Sequence, residues 1–166
     1  MDDTDFEHWY RREHDRLVNS LFLISGSVDA AREATDEGFA RVAARWARVR
    51  RMDAPAGYAF RVALNVLRKE MRRRTREATA HRLNSADESF VDESPDPDLW
   101  RAVRALPDRQ RAAVVLRYVA DLTEADIAAA LGVTRGTVAS NLSHARDALA
   151  TALSEPIETE VSDDRS

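Results

Sequence analysis

Apolar residues recur every three or four positions along most of the 166-residue chain, while β-branched residues are scattered and do not alternate with polar ones. This spacing is typical of amphipathic helices, which bury one apolar stripe against neighbouring helices. Alanine, the strongest helix former, is abundant. The pattern therefore predicts an all-α protein.

The first two helices are predicted from their apolar faces and from the residues at their ends. An apolar face from Phe6 to Phe22 predicts the first helix, and Gly26 is suited to end it in a left-handed turn. Asp29 is expected to cap the second helix, because aspartate accepts hydrogen bonds from free helix N–H groups. The apolar face of that second helix is predicted to consist of Phe39, Val42, Trp46 and Val49.

Prolines and aspartates mark the starts of the next three helices. Pro55 is suited to the first turn of a third helix that continues to Arg74. A short helix is expected to begin at Asp96 or Asp98, and Pro107 opens the helix after it.

Residues 122–149 carry the strongest local signal in the chain. Thr123 and Asp126 form a capping-box-like start, Gly132 supplies a left-handed turn, and Thr134 can cap a second helix. This combination predicts a helix-turn-helix, and an ordinary hairpin of two helices is the alternative. The inward-facing positions are predicted to be Ile127, Leu131, Val138, Leu142, Ala145 and Leu149.

A polar, acidic stretch divides the chain into two modules. Residues 84–98 contain two prolines and lack a helical period, so they are interpreted as a linker. The linker separates a first domain, residues 1–83, from a second domain, residues 99–153. Residues 154–166 are acidic and are expected to form a disordered tail.

Charge is distributed unevenly along the chain, although the net charge is only −4. Residues 41–83 hold 13 basic residues and 3 acids, whereas residues 84–98 hold 6 acids and no base. Lys69 is the only lysine, so the positive charge is almost entirely guanidinium, which pairs bidentately with phosphate. Residues 41–83 are therefore suited to binding a polyanion, while the chain as a whole is not.

Several classes of chemistry are excluded by composition. The chain has no cysteine, and its glycines are too sparse for a phosphate-binding loop. Histidines lack the spacing of metal ligands, and no serine stands in a nucleophilic triad pattern, so we expect no metal, no cofactor and no enzymatic activity. The acidic N-terminus and the absence of a long apolar run predict a soluble, cytoplasmic protein without membrane insertion.

Taken together, these segments resemble the extracytoplasmic-function (ECF, group four) sigma factors of bacterial RNA polymerase over about residues 5–153. The family's promoter-binding region four is similar to ALPDRQRAAVVLRYVADLTEADIAAALGVTRGTVASNLSHARDAL. The polymerase-binding helix of region two resembles AREATDEGFARVAARW, and the helix that meets the minus-ten element resembles PAGYAFRVALNVLRKEMRRR. The resemblance implies two helical domains, region two in residues 1–83 and region four in residues 99–153.

The function implied by the resemblance is that of a promoter-specificity subunit, which directs core polymerase to promoters and initiates transcription. Its implied partners are core RNA polymerase, promoter DNA and an anti-sigma factor, and the free chain is expected to be monomeric. Two alternatives stay open: a free-standing helix-turn-helix regulator that binds operators as a dimer, and a sigma-like adaptor that binds polymerase without DNA.

The candidate polymerase-binding residues, three acids and one arginine, share one face of the second helix because they lie three or four positions apart. A solvated acidic face is the simpler interpretation of such a stripe, and only the resemblance assigns it to polymerase. Asp36-Glu37-Gly38 stands where the family usually has Gln-Glu and a small residue. The set consists of Glu33, Asp36, Glu37 and Arg41.

The candidate minus-ten residues occupy the basic block. Arginine can neutralise phosphates and asparagine can hydrogen-bond an exposed base, so a row of both is suited to a melting strand, although it could also be only a soluble face. The resemblance adds that the turn before Pro55 holds a flipped base. The set consists of Arg48 and Arg51 in that turn, followed by Arg61, Asn65, Arg68 and Arg72 on one helical face.

The candidate recognition residues lie on the second helix of the helix-turn-helix. Ala139, Asn141 and His144 occupy positions that are commonly basic in the family, so weak binding to the upstream element is expected. The DNA-binding set consists of Arg135, Thr137, Ser140, Asn141 and His144.

Overall fold

The computed structural model describes residues 3–78 and 96–154, and all regular elements in these two stretches are helices. The all-α fold is thereby confirmed. The helices are α1 Asp3–Ser25, α2 Val28–Ala43, α3 Trp46–Val49, α4 Pro55–Ala78, α5 Pro97–Ala105, α6 Asp108–Tyr118, α7 Glu124–Leu131 and α8 Arg135–Ser154.

Most helix ends follow the local sequence signals. Gly26 and Gly132 adopt φ values of +70° and +67°, the left-handed conformation that glycine tolerates best. Thr123 and Thr134 each accept a hydrogen bond of 3.1 Å from the backbone N–H three residues further on. Asp96 does the same for the first turn of α5, at 3.1 Å. These caps satisfy helix N–H groups that would otherwise lack a partner.

The cap of α2 is Ser27, so the expectation that Asp29 caps this helix was wrong. Ser27 has an extended backbone, and its hydroxyl accepts a 3.2 Å hydrogen bond from the N–H of Ala30. Asp29 lies in the first turn instead, where its carboxylate faces the positive end of the helix dipole. Serine and aspartate are comparable caps, and spacing alone did not decide between them.

Trp46 does not continue α2, which ends at Ala43. The backbone leaves the helical conformation at Arg45, with φ −125° and ψ 17°, and Trp46 opens the short helix α3. This break lets the indole pack on α1, with ring centroids 5.3 Å from Phe6 and 4.9 Å from Trp9. Aromatic packing between helices therefore replaces the single long helix that the spacing predicted.

The long helices of the first half, α1, α2 and α4, pack against one another. The approach of α2 to α4 is closest at Gly38, where a Cβ would lie only 2.9 Å from the Cβ of Ala63. Any larger residue would push the two helices apart. The largest fully buried apolar side chains of this half are Leu17, Leu21, Val42, Val49, Phe60, Leu64 and Leu67.

The second half is built around α8, which contacts α5, α6 and α7. The helices α7 and α8, joined by the left-handed turn at Gly132, form the predicted helix-turn-helix. Their inward faces are closed to solvent, so α8 has a fixed orientation on the rest of this half. The buried apolar side chains include Leu116, Ile127, Val138, Leu142 and Ala145.

The two halves pack against each other, α4 on α7 and α1 on α6. We call this packing the closed arrangement. Gly57 is buried at the contact, and a Cβ there would lie 3.2 Å from the carboxylate carbon of Asp126. At the contact between α1 and α6, the Arg111 Nε donates a 3.1 Å hydrogen bond to the backbone carbonyl of Ile24. The two halves are therefore in direct contact across the described residues.

The predicted linker, residues 84–98, and the predicted tail, residues 154–166, lie almost entirely outside the described residues. The described part of the linker range, residues 96–98, already caps and begins α5. Ser154 is the last residue of α8. Helical structure therefore starts inside the range assigned to the linker.

Candidate nucleic-acid interface

The acidic face of α2 points to solvent. Glu33, Asp36, Glu37 and Arg41 are all exposed, while the opposite side of the helix is buried. Glu37 Oε1 lies 2.7 Å from Arg41 Nε, a pair of the kind that helix spacing predicts. Glu33 and Asp36 form no salt bridge with a residue in the described stretches. The four residues thus form one accessible, mainly acidic surface.

The basic row of α4 is exposed at three of its four positions. Arg61, Asn65 and Arg72 face solvent, on the side of α4 away from its buried core positions. The Arg61 guanidinium lies 5.1 Å from the centre of the Tyr58 ring, a cation–π contact that restricts its position. Arg68 is half-buried, and its Nη1 donates a 3.3 Å hydrogen bond to the carbonyl of Leu131 in the second half.

Three arginines of the basic block lie in α3 or directly after it, and their surroundings differ. Arg48 lies within α3 and Arg51 in the turn that follows, and both are exposed. Arg50 lies between them and forms a 3.3 Å ion pair with Asp5 of α1. This pair ties the turn to the body of the first half and leaves its neighbours accessible.

In the C-terminal part of α4, the carboxylate of Glu70 forms ion pairs with two arginines. The Glu70 side chain is only 12% exposed and contacts both Arg73 and Arg74, at 2.6 and 2.8 Å. Hydrogen bonds from these two guanidinium groups lower the pKa of Glu70 from 4.5 to about 2, and the same pairing raises the pKa of Arg73. Arg74 also donates to the hydroxyl of Ser27, at 3.1 Å, which links α4 to the start of α2.

A cleft of about 690 Å³ lies between residues 64–76 of α4 and the second half of the chain. Burial lowers the pKa of Arg68 on its wall, and the nearby positive charges of Arg72 and Arg109 lower it further. Guanidinium groups from both halves therefore converge on one space. The arginines that line the cleft are Arg68, Arg72, Arg76, Arg109 and Arg111.

The recognition helix α8 presents its candidate residues unequally. Arg135, Ser140 and His144 are exposed, and Thr137 is half-buried near the capped start of the helix. Asn141 is half-buried and lines the cleft rather than the outer surface. The closed arrangement therefore leaves three of the five predicted positions fully accessible.

Arg76, Arg109 and Arg111 belong to the basic cleft but were missed by sequence reasoning. Arg76 extends the row of α4 by one more step of four residues beyond Arg72, so its spacing could have identified it. Arg109 and Arg111 lie on α6, and only the packing of the halves brings them to α4.

Within residues 3–78 and 96–154, no group of three histidine, cysteine or acidic side chains is placed to hold a metal ion. Over the same stretches, no helix combines the length and apolarity needed to cross a membrane. The features that do stand out are a helix-turn-helix, an exposed row of arginines with an asparagine, and an acidic helix face. This combination is typical of an all-helical DNA-binding protein.

Comparison with known proteins identifies the family. Residues 97–149 match the family described as Sigma-70, region 4. The RNA polymerase sigma-E factor of Streptomyces coelicolor is 30% identical over 152 residues, covering 85% of this chain and 81% of that protein. The ECF RNA polymerase sigma factor SigE of Mycolicibacterium smegmatis is 31% identical over 153 residues, covering 84% of this chain and 58% of that protein.

A solved structure shares the fold. The sigma factor RpoE of Bartonella quintana, crystallised in complex with the anti-sigma factor NepR, superimposes with a TM-score of 0.74 at 22% identity. The match covers 90% of this chain and 96% of the RpoE chain. The chain belongs to the extracytoplasmic-function sigma factors, and its function is to direct RNA polymerase to promoters.

Proposed function

We propose that this sigma factor divides its contacts among three surfaces: the acidic face of α2 for core polymerase, the basic row of α4 for the minus-ten element, and α8 for the minus-thirty-five element. In this proposal residues 1–83 act as region two and residues 99–153 as region four. The observation that carries it is the exposed row of Arg61, Asn65 and Arg72 on a helix whose other side is fixed in the core.

The acidic face of α2 is suited to a basic partner. Glu33 and Asp36 have no salt bridge within the described stretches, so their charge is available to an incoming surface, and Glu37 shares its charge only with Arg41. Complementary charge of this kind accelerates association and fixes orientation more than it adds affinity. The core polymerase would supply the basic side of this contact.

The basic row of α4 combines two kinds of contact. Arginines at 61 and 72 would neutralise phosphates, and the amide of Asn65 between them would hydrogen-bond an exposed base edge. Arg48 and Arg51 extend the positive surface beyond the start of α4, where family likeness places a flipped base. Phosphate contacts give affinity along the strand, while the amide gives sequence preference.

The recognition helix would contribute little binding on its own. Among its candidate residues only Arg135 carries a permanent positive charge, while Ser140 and His144 occupy the exposed surface. Because phosphate neutralisation supplies most non-specific affinity, α8 would depend on the polymerase-bound first half to keep it near the DNA.

Promoter binding would require the closed arrangement to open. Elements centred near positions −10 and −35 lie roughly 85 Å apart at about 3.4 Å per base pair. A compact chain of this length has a radius of gyration of only about 15 Å. Both elements can therefore be contacted at once only when the halves separate, which would also release Arg68 and Asn141 from the cleft.

The remaining parts of the proposal concern partners and location. Because the RpoE neighbour was crystallised with an anti-sigma factor, we extend that class of partner to this chain. Tyr118 and Leu153 are the large apolar side chains exposed in the described stretches, too few for an extensive dimer surface, which supports a monomer. The chain would act in the cytoplasm by binding alone, without cofactor or catalysis.

The test is co-purification with core polymerase followed by run-off transcription from promoters selected in vitro with the loaded polymerase. We expect Arg61→Ala/Asn65→Ala to keep polymerase binding and lose transcription, while Arg11→Ala, an exposed site on α1, changes neither. The proposal would be refuted if core polymerase transcribed these promoters equally well without this chain. It would also be refuted if the chain bound operators as a dimer without polymerase. Polymerase binding with no promoter recognised would favour the adaptor instead.

A further inference from the structure

The cleft between α4 and the second half of the chain contains more positive charge than the contacts within the fold neutralise. Asp108 is the one carboxylate among its lining residues, and it is paired with Arg111 at 2.7 Å. Arg111 also donates to the backbone carbonyls of Ile24 and Arg104, at 3.1 and 2.8 Å, so its role is structural. These contacts account for one of the five guanidinium groups.

The other cleft arginines lack an acidic partner in the described stretches. Arg68 is bonded to a neutral carbonyl, and Arg72, Arg76 and Arg109 form no ion pair there. Arg68 is half-buried beside these exposed arginines, and its lowered pKa reflects first its own burial and then repulsion by Arg72 and Arg109. An anion with several charges, bound between α4 and α6, would relieve that repulsion at both walls.

Apart from the charged residues, Thr75 and Asn141, the lining of the cleft is apolar. Leu64, Leu67 and Met71 line it from α4, while Leu131 and Val133 line it from the turn of the helix-turn-helix. Its volume of about 690 Å³ lies within the range of sites for small ligands. A site with an apolar wall and several guanidinium groups fits a molecule that combines a flat apolar ring with a chain of phosphates.

We propose that the cleft binds a nucleoside polyphosphate, with the phosphates between Arg72, Arg76 and Arg109 and the base against the apolar wall. Because the arginines come from both halves, the ligand binds only the closed arrangement and stabilises it. The ligand therefore competes with promoter DNA, which requires the open form. This last consequence rests on the proposed function, whereas binding itself does not.

Direct binding is measured by calorimetry on the full chain with GTP, ATP and inorganic tripolyphosphate as probes. We expect 1:1 binding of at least one nucleotide, tighter than tripolyphosphate because of the apolar wall. Arg109→Gln and Arg76→Gln should each weaken it at least tenfold, since each removes a charge-assisted hydrogen bond. Arg135→Gln, which removes an equal charge from an exposed site outside the cleft, should leave it unchanged.

Three outcomes would overturn the assignment: no saturable binding of either nucleotide, equal weakening by Arg135→Gln, or tripolyphosphate binding as tightly as the nucleotides. Circular dichroism of each variant verifies that it is folded.

The second arm of the experiment measures promoter-DNA binding by the free chain. Arg109 lies outside the proposed DNA-binding sets, so Arg109→Gln should keep DNA binding and lose its inhibition by nucleotide. If nucleotide binds in the cleft but the chain loaded on core polymerase recognises no promoter, the proposed function fails and the site stands.

Discussion

The Arg68 guanidinium, on a helix suited to DNA, donates a 3.3 Å hydrogen bond to the carbonyl of Leu131, the last residue of α7. The same side chain was expected to contact the minus-ten element, so in the closed arrangement it serves the contact between the halves instead. Asn141 lines the same cleft from the recognition helix. One residue of each proposed DNA-binding set is thus half-buried where the two halves meet.

The closed arrangement should open when Gly57 is replaced by glutamate. A Cβ at this position would lie 3.2 Å from the Asp126 carboxylate, so Gly57→Glu adds both volume and a like charge at the contact. Overpacking of this kind costs about 1–3 kcal/mol. Small-angle scattering should show a larger radius of gyration, and DNA binding by the free chain should rise.

The matched control is Gly57→Lys, which adds a side chain of similar length but the opposite charge. Lysine can pair with Asp126, so it should open the chain less than glutamate does. If both variants keep the scattering profile of the wild type, the contact at Gly57 does not hold the halves together.

Helix ends could be predicted from sequence because they depend on local hydrogen bonds. Gly132 and Thr123 were identified correctly, since a left-handed turn and a capping hydroxyl each need one residue type at one place. Asp29 was predicted as the cap of α2, but Ser27, an equally good capping residue two positions earlier, takes that place. Trp46 was placed on the wrong helix because its indole packs on α1, a contact that spacing along α2 does not report.

The candidate site was predictable only in part, for a related reason. The row of α4 follows from residue spacing on one helix, and Arg76 could have been added to it by the same rule. Arg109, about 40 positions away in sequence, faces that row across the cleft because α6 packs on α1 and α4 packs on α7. Contacts of that range depend on how the halves meet, and no local pattern encodes this.

Polymerase binding should fail when the charge of the α2 face is reversed. Glu37→Arg removes a carboxylate from the acidic surface and places a guanidinium against a basic partner, which should weaken core binding at least tenfold. The matched control is Glu7→Arg on α1, since Glu7 is also exposed and also pairs with an arginine four residues further on. Retention of core polymerase by a folded Glu37→Arg variant, measured by pull-down, would rule out this docking surface.

The stability of the first half should depend on Glu70 in a pH-dependent way. The pKa of Glu70 is lowered from 4.5 to about 2, so its contribution to folding is present at neutral pH and is lost as the pH falls through about 4.5 toward about 2. Glu70→Gln should therefore melt a few degrees below the wild type at pH 7, and the difference should shrink on acidification. Thermal melts of both proteins across this range measure it, and a difference independent of pH would contradict the ion-pair assignment.

His144 is the recognition-helix position at which an added charge should be most informative. It is exposed, and the resemblance to the family places it at a position that is commonly basic. If His144 faces the DNA backbone, His144→Arg adds one phosphate contact, which steepens the dependence of log affinity on log salt by about 0.9 and tightens binding at low salt. Asn19→Arg places the same charge on an exposed site of α1 and should change the slope little. Salt titrations of both full-length variants, loaded on core polymerase, against one promoter duplex measure the effect. Equal slopes for the two variants would mean that residue 144 does not touch the phosphates and that α8 meets the upstream element through other positions.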